Sequence, residues 1–501
     1  SNGGSRGNDG LDGGAGGAGG DGGNISLAAS LVATGNIQLT VGQAGGGGPR
    51  GIGGIDGIAG EDGEINGSNI NATAMNGSIT VTGAINAGSN DVLLNAGDQL
   101  TISDLITANN ISLTAAGTNA AIGSAIQAIQ TNASGIITAS AANGTGGIFL
   151  NNTGGALNIG SLNAGTGAFG LTANIINLNN DIAGYGAAST LTGTTNIGGD
   201  LNMTADITAN GHVNLNSGTL NVNANTLDVN GDVVLNAGAL NASAAGSITV
   251  ARNWFNAGAV ATNFSTSGAR VTFDGNTAQT VTQNGVALGN VTVSNTGAAT
   301  PIVTWTDAMA LQGDFTVTDG VVALQAGGSI ANDVALAESV NVTGTLDVGG
   351  DLDLSPGGNI VGGVRFNGTG AQALDSNGET FDTLEVDKAS GVLSLVTSGL
   401  TATNLILTDG ALNTQGLILA VPGSMNLNGG SLALSTGLAD INGAVTSTGG
   451  SIEHTGGTLA FGGGSVNLAA VDYNGSGTAS TVFDGGTQTL TTGANTEFAE
   501  M

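Results

Sequence analysis

The sequence predicts an all-β chain wound as a parallel β-helix, a solenoid of stacked coils. Three observations carry that prediction. Short segments that alternate apolar and polar residues recur over hundreds of positions, at a spacing of roughly 20 residues that marks stacked repeats rather than a sandwich or barrel. No segment carries a 3.6-residue apolar stripe with charged residues opposite, so helix is not expected. A longer repeat overlies the short one. VTFDGNTAQTV at 271–281 returns as VRFNGTGAQAL at 364–374 and, shortened, as TVFDGGTQTL at 481–490.

Composition agrees. The 501 residues include 92 Gly, 4 Pro and no Cys, with 40% hydrophobic, 3% aromatic and 8% charged residues, against about 25% charged in an average soluble domain. Apolar content this high excludes a disordered chain. So few aromatics fit a thin core, a few side chains across, repeated many times. The net charge of −30, with a single lysine, Lys388, excludes nucleic acid as a partner, since phosphates need Lys and Arg. A diffuse acidic surface keeps particles apart and holds cations. No apolar run approaches the ~20 residues of a membrane helix. The chain opens Ser1-Asn2 without a signal peptide, which reads as a processed or internal start.

Residues 1–67 form a glycine ladder. Gly occupies every third position from Gly4 to Gly22 and again from Gly42 to Gly63, around an apolar segment, ISLAASLVATGNIQLTV, at 25–41. A collagen triple helix would want Pro between the glycines, and a flexible linker would not need the strict period. Extended period-3 segments packed on, or looped out from, a β-rich body are the favoured reading, with the apolar segment as strand. Glycine fingerprints of the G-x-G-x-x-G type arise here by register alone, without their strand–helix context.

Residues 68–250 read as coils of about 20 residues. SITV at 78–81, VLLN at 92–95, LTIS at 100–103 and ISLT at 111–114 show the pattern, and strands two apart are expected to stack. Inward Leu, Ile and Val would form ladders. Asn, Ser and Thr at corners would hydrogen-bond along the stack, and Gly would supply turns with positive φ.

Residues 251–501 continue the solenoid in longer modules, with copies near 271, 364 and 481. Phe273 and Phe366 lie 93 residues apart, as do Gly275 and Gly368, and Gln279 and Gln372. Fifteen residues after each Phe comes a further large apolar residue, Leu288, Phe381 and Phe498. The third copy stops short at Met501. That points to a fragment, a cleaved product or a subunit completed by a neighbour.

The pattern N-W-x-N-x-G, V-T-F-x-G-x-x-x-Q, apolar-x-V and L-x-x-x-x-G-x-L, with the G-G-x-G-G-N-I-x-L run at 19–27, resembles the strand repeats of large secreted bacterial exoproteins: filamentous-haemagglutinin-like adhesins, two-partner-secretion exoproteins and autotransporter passengers. The resemblance covers most of the chain. It implies a right-handed parallel β-helix, export with an outer-membrane secretion partner, and a place at the bacterial cell surface. An amino-terminal secretion domain and a carboxy-terminal barrel are not recognisable.

Three function classes follow. An extracellular adhesin or stalk would bind a host cell, a glycan or a surface. A filament or sheath subunit would form homo-oligomers end to end or side by side. A β-helix polysaccharide-degrading enzyme would need clustered basic groups or paired carboxylates. The sequence assigns no catalytic residue. His212 and His454 are far apart, His212 opens a strand as an exposed spectator, and Arg365 sits outward between Val364 and Phe366. Calcium is the one cofactor considered. Asp347, Asp351 and Asp353 cluster in LDVGGDLDL at 346–354, and Asp228 and Asp232 in LDVNGDVVL. Oxygen-rich turns suit Ca²⁺, although the G-G-x-G-x-D nonapeptide of calcium-binding β-rolls does not recur. Sequons such as Asn71-Ala72-Thr73 arise from this composition by chance.

Overall fold

A computed structural model describes residues 25–26, 31–33, 37–40, 64–180, 182, 184–257, 260–262, 268–298 and 300–498. The glycine tracts at 1–24 and 41–63 lie outside the described residues. The chain divides into two compact units, Ser1–Asn241 and Ala242–Met501, a division close to the composition shift near residue 250. In each unit the described residues form a parallel β-solenoid without helix.

In the first unit a coil is three short strands on three faces. Glu64–Asn66, Ile70–Ala74 and Ile79–Thr82 make one coil, and Ala84–Asn86, Val92–Ala96 and Leu100–Ile102 make the next. Each strand pairs in parallel with its counterpart one coil on: Ile65 with Ile85, Ile70 with Val92, Ile79 with Leu100. Val92 then pairs with Ile111, as the strand spacing predicts. The apolar segment between the glycine tracts contributes Ile25–Ser26, Leu31–Ala33 and Ile37–Thr40, which pair with those same first-coil strands. Inward residues of successive coils meet as like on like, and Ile65, Ile70, Ile79, Val81 and Leu94 are all fully buried. Each such side chain contributes about 1.5–3 kcal/mol of hydrophobic stabilisation.

The wet faces carry asparagine ladders. Asn177 Nδ2 donates to Asn158 Oδ1 at 2.7 Å, Asn196 to Asn177 at 2.8 Å and Asn214 to Asn196 at 2.8 Å. Parallel ladders join Asn230 to Asn210, Asn236 to Asn216 and Asn241 to Asn221 at 2.8–3.1 Å. A primary amide both donates and accepts, so a stack of them saturates itself from coil to coil.

The second unit winds the same way but with longer, bent strands, including Thr380–Leu395 and Val445–Phe461. The long repeat is visible as geometry. Val271, Phe273, Val364 and Phe366 are buried rungs, and so are Leu288 and Phe381. Asn284 and Asn377, at matching repeat positions, both adopt φ 51° ahead of a positive-φ Gly. Asn tolerates this left-handed region better than most residues, which accounts for the Asn-Gly turns.

The repeated Gln is a clamp. Gln279 Nε2 donates to the carbonyls of Val250 and Arg252 at 2.7 and 2.5 Å. Gln372 Nε2 does the same to Val348 at 3.1 Å and to Gly350, and Gln488 to Phe461 and Gly463 at 2.6 and 2.9 Å. The neighbouring Gly lets the turn approach. A Cβ at Gly275, Gly368 or Gly485 would lie 2.2, 2.0 or 2.4 Å from the carbonyl oxygen of Ala251, Gly349 or Gly462. Three copies of F-x-G…Q thus fasten three corners to the preceding coil in one way.

Replacing Gln372 by Leu keeps the volume and removes the donors. It is expected to cost ~1–3 kcal/mol for the carbonyls left unsatisfied, read as a lower urea midpoint in Trp254 and Trp305 fluorescence. Gly368→Ala is expected to cost at least as much, because the new methyl meets backbone rather than a flexible side chain.

Candidate functional site

The three calcium candidates stand on a strand–turn–strand. Asp347 is in Val340–Val348, Asp351 in the turn and Asp353 in Leu352–Asp353. Each has its own local partner. Arg365, one coil on, pairs with Asp347 in register. Its Nε and Nη2 lie 2.9 and 2.7 Å from the two carboxylate oxygens, a bidentate pair, and Nη1 is 3.8 Å from Asp387. The Asp347 hydrogen bond holds the guanidinium pKa above its ordinary value. Asp351 Oδ1 accepts the Ala373 N–H at 2.7 Å, and Asp353 Oδ1 accepts the Ser355 N–H at 2.8 Å. Among the described residues no three His, Cys, Asp or Glu side chains converge as a metal-binding group.

Asp228 sits outward on Thr226–Val229, paired with Thr208. Asp232 belongs to a different local arrangement. His212 Nδ1 lies 3.0 Å from both the Asp232 backbone nitrogen and Asp232 Oδ2. The ring nitrogen can accept from the first or donate to the second, not both at once. His212 is 44% exposed, as expected of a strand-opening residue.

Two buried polar clusters lie in the second unit, and neither was singled out from the sequence. His454 is fully buried. Its Nδ1 is 2.9 Å from the Tyr473 hydroxyl, which is 2.7 Å from Thr481 Oγ1, while His454 Nε2 makes no hydrogen bond. Burial pushes the imidazole pKa down, against a smaller opposing pull from the Gly457 and Gly456 backbone, and pushes the Tyr473 phenol up. The parity of its strand carries the signal: Ile452 and His454 face in, and Glu453 between them faces out.

The other cluster holds the only lysine. Lys388 is fully buried. Its Nζ donates to the Gly368 carbonyl at 2.7 Å and to Gln372 Oε1, the oxygen of the second clamp. Burial lowers its pKa, and the charge of Asp351 works the other way. In the first copy the matching position is Asn295, whose Nδ2 donates to Gln279 Oε1 at 2.6 Å. Lysine and asparagine therefore do one job, satisfying the clamp's acceptor. The signal was again available, because Leu384, Val386 and Lys388 share the inward parity of one strand.

No family model, curated protein or solved structure matches the chain.

The two clusters are sealed from solvent and belong to the core. The Asp347–Arg365 pair is half-buried, and its two charges neutralise each other. What remains for contact is the outer face of the coils: amides, hydroxyls and carboxylates in rows, with a few apolar residues among them.

Two outcomes follow. Calcium is expected to shift the thermal midpoint of the full chain no more than magnesium at equal concentration, checked by differential scanning calorimetry after chelation. His454 is expected to make stability pH-dependent. Its folded pKa is depressed, so the unfolded chain binds the proton first as pH falls. Stability is then lost from about pH 6.5 downward, levelling off only below the folded value. His454→Gln, which does not titrate, is expected to flatten the midpoint-versus-pH curve between pH 7.5 and 5 relative to the parent chain.

Proposed function

We propose that the chain is the shaft of an extracellular, cell-surface adhesin of the filamentous-haemagglutinin-like or autotransporter type, carried out through an outer-membrane secretion partner. The observation that carries this reading is the parallel pairing of coil on coil within each unit, with rows of polar side chains outside and apolar rungs inside. That construction specifies a stiff presenting surface more than it specifies a reaction. The charge supports it. A net charge of −30 with the only lysine buried leaves a surface that resists non-specific association with other anionic polymers. The motif resemblance supports the same class.

A non-catalytic role is part of the reading. The wholly buried His454 cannot meet a substrate, Arg365 is held by Asp347, and His212 is engaged with Asp232. A polysaccharide-cleaving site would need a reachable acid and base, held within hydrogen-bond reach of the bond to be broken.

The test is adhesion. Beads coated with the purified chain are expected to attach to cultured cells or glycan-coated surfaces more than beads coated with an inert protein of equal net charge. Equal attachment would sink the reading. Concentration-dependent polymerisation without any ligand, followed by sedimentation, would instead favour a filament subunit.

A further inference from the structure

The first unit carries a groove at a place where the outward alternation breaks. Four successive coils stack Asn71, Leu93, Ser112 and Thr138 in register on one outer face. Two residues earlier in each coil stands a corner row, Asn69, Asp91, Asn110 and Ile136, at or just before the strand starts. Asn69 Oδ1 accepts the Asp91 N–H at 3.2 Å, Asp91 Oδ1 accepts the Asn110 N–H at 3.1 Å and Asn110 Nδ2 at 3.0 Å, and Asn110 Oδ1 accepts the Ile136 N–H at 2.9 Å. The two rows bound a groove of about 500 Å³, within the range of small-ligand sites.

Its chemistry is mixed. Leu93 and Ile136 occupy outward positions that Asn, Ser or Thr fill on the neighbouring coils, and Ile136 is 48% exposed. Around them stand amides, two hydroxyls and one carboxylate, fixed at the corner by the ladder. No Lys or Arg lines the groove, so an anionic ligand would meet Asp91 without compensation. A peptide strand has nothing to pair with, because the floor is a sheet face whose backbone groups are spent on neighbouring coils, and strand addition needs a free edge. A linear neutral sugar fits. Its rings alternate apolar C–H faces with hydroxyls, and successive coils repeat at ~4.8 Å, close to the advance of one pyranose along a chain.

We propose that this groove binds a neutral oligosaccharide lying along the stack, with C–H faces on Leu93 and Ile136 and hydroxyls on Asp91, Ser112 and Thr138. The proposal names the ligand class for the adhesin reading and rests on that reading for its biological meaning.

The test is saturation-transfer NMR with titration of the full chain against cellotetraose, laminaritetraose and chitotetraose, with tetragalacturonate as the anionic comparison. Two outward variants probe the groove. Ser112→Trp fills it, and Leu93→Asn removes the apolar platform. Saturable binding of at least one neutral tetrasaccharide is expected, weakened tenfold or more by either variant that keeps the parental thermal midpoint, with tetragalacturonate bound at least tenfold more weakly. Absence of binding by all three neutral sugars, binding unchanged in both variants, or equal binding of tetragalacturonate would overturn the proposal. The bead assay separates the two readings. Adhesion that survives Ser112→Trp unchanged overturns the groove as the adhesive site and leaves the adhesin. Sugar binding by beads that fail to adhere keeps the groove and removes the adhesin.

Discussion

Each coil must hydrogen-bond the coil before it along its length, strand on strand and turn on turn. This pairing constrains everything else in the chain. Strands stack at the inter-strand distance of a sheet, so the turns between them stack equally closely, and a turn residue with a Cβ often has nowhere to put it. At Gly443 an added Cβ would fall 1.0 Å from the Gly423 oxygen. Only glycine fits at 443, because the atom met is backbone. Coils need not be equal in length, and the excess is absorbed in the turns and in bulges, such as the register shift between Thr172 and Ile175. The wet rows then follow from the same constraint. Any outward residue has a neighbour one strand spacing away, above and below, so the two side chains must be compatible.

Several buried polar groups fasten one coil to the next. The Gln clamps take two carbonyls of the preceding coil, and the clamp's own oxygen is taken by Asn295 or Lys388. Burying an ammonium is costly unless it is fully hydrogen-bonded. Lys388 meets that condition in part, with one carbonyl and one amide oxygen for its three donors, and burial lowers its pKa. His454 resembles it in burial but not in satisfaction, since one ring nitrogen lacks a partner. That difference makes His454 the acid-sensitive point of its cluster.

The fold class was legible because it depends on parity and period, which a single sequence displays. Ile79 and Leu100, and Val92 and Ile111, could be stacked from spacing alone. Within the segment read as strand at 25–41, the described residues Ile25–Ser26, Leu31–Ala33 and Ile37–Thr40 are strands. The calcium candidates show the limit. Asp347, Asp351 and Asp353 are close in sequence, but a strand–turn–strand sends them to separate partners. The residue that captures Asp347 is Arg365, which comes from the next coil. Cross-coil neighbours require the register of each turn, and turn lengths vary. The same reason hid the clamp. Gln279 and Gln372 were visible as a repeated letter, whereas the carbonyls that they bind lie a coil away. Lys388 and His454 were within reach of parity, had inward polar residues been weighed as closely as inward apolar ones.

The demand for stackable outward residues is met with two chemistries. In the first, Asn158, Asn177, Asn196 and Asn214 bond side chain to side chain, since each amide offers a donor upward and an acceptor downward. In the second, a corner row is aspartate. The Asp333 N–H reaches Asp314 Oδ1 at 3.4 Å, the Asp351 N–H reaches Asp333 Oδ1 at 2.8 Å, and the Ala373 N–H reaches Asp351 Oδ1 at 2.7 Å. Carboxylates cannot bond one another while ionised, so the backbone supplies every donor, and like charges remain one strand spacing apart. Such a row is tolerable only because it faces water and salt, which screen it. An amide row carries no such repulsion and can stand beside apolar residues without drawing counter-ions between them. Leu93 and Ile136 sit beside a corner row of Asn69, Asp91 and Asn110, so the contact chemistry there is amphipathic with a single carboxylate.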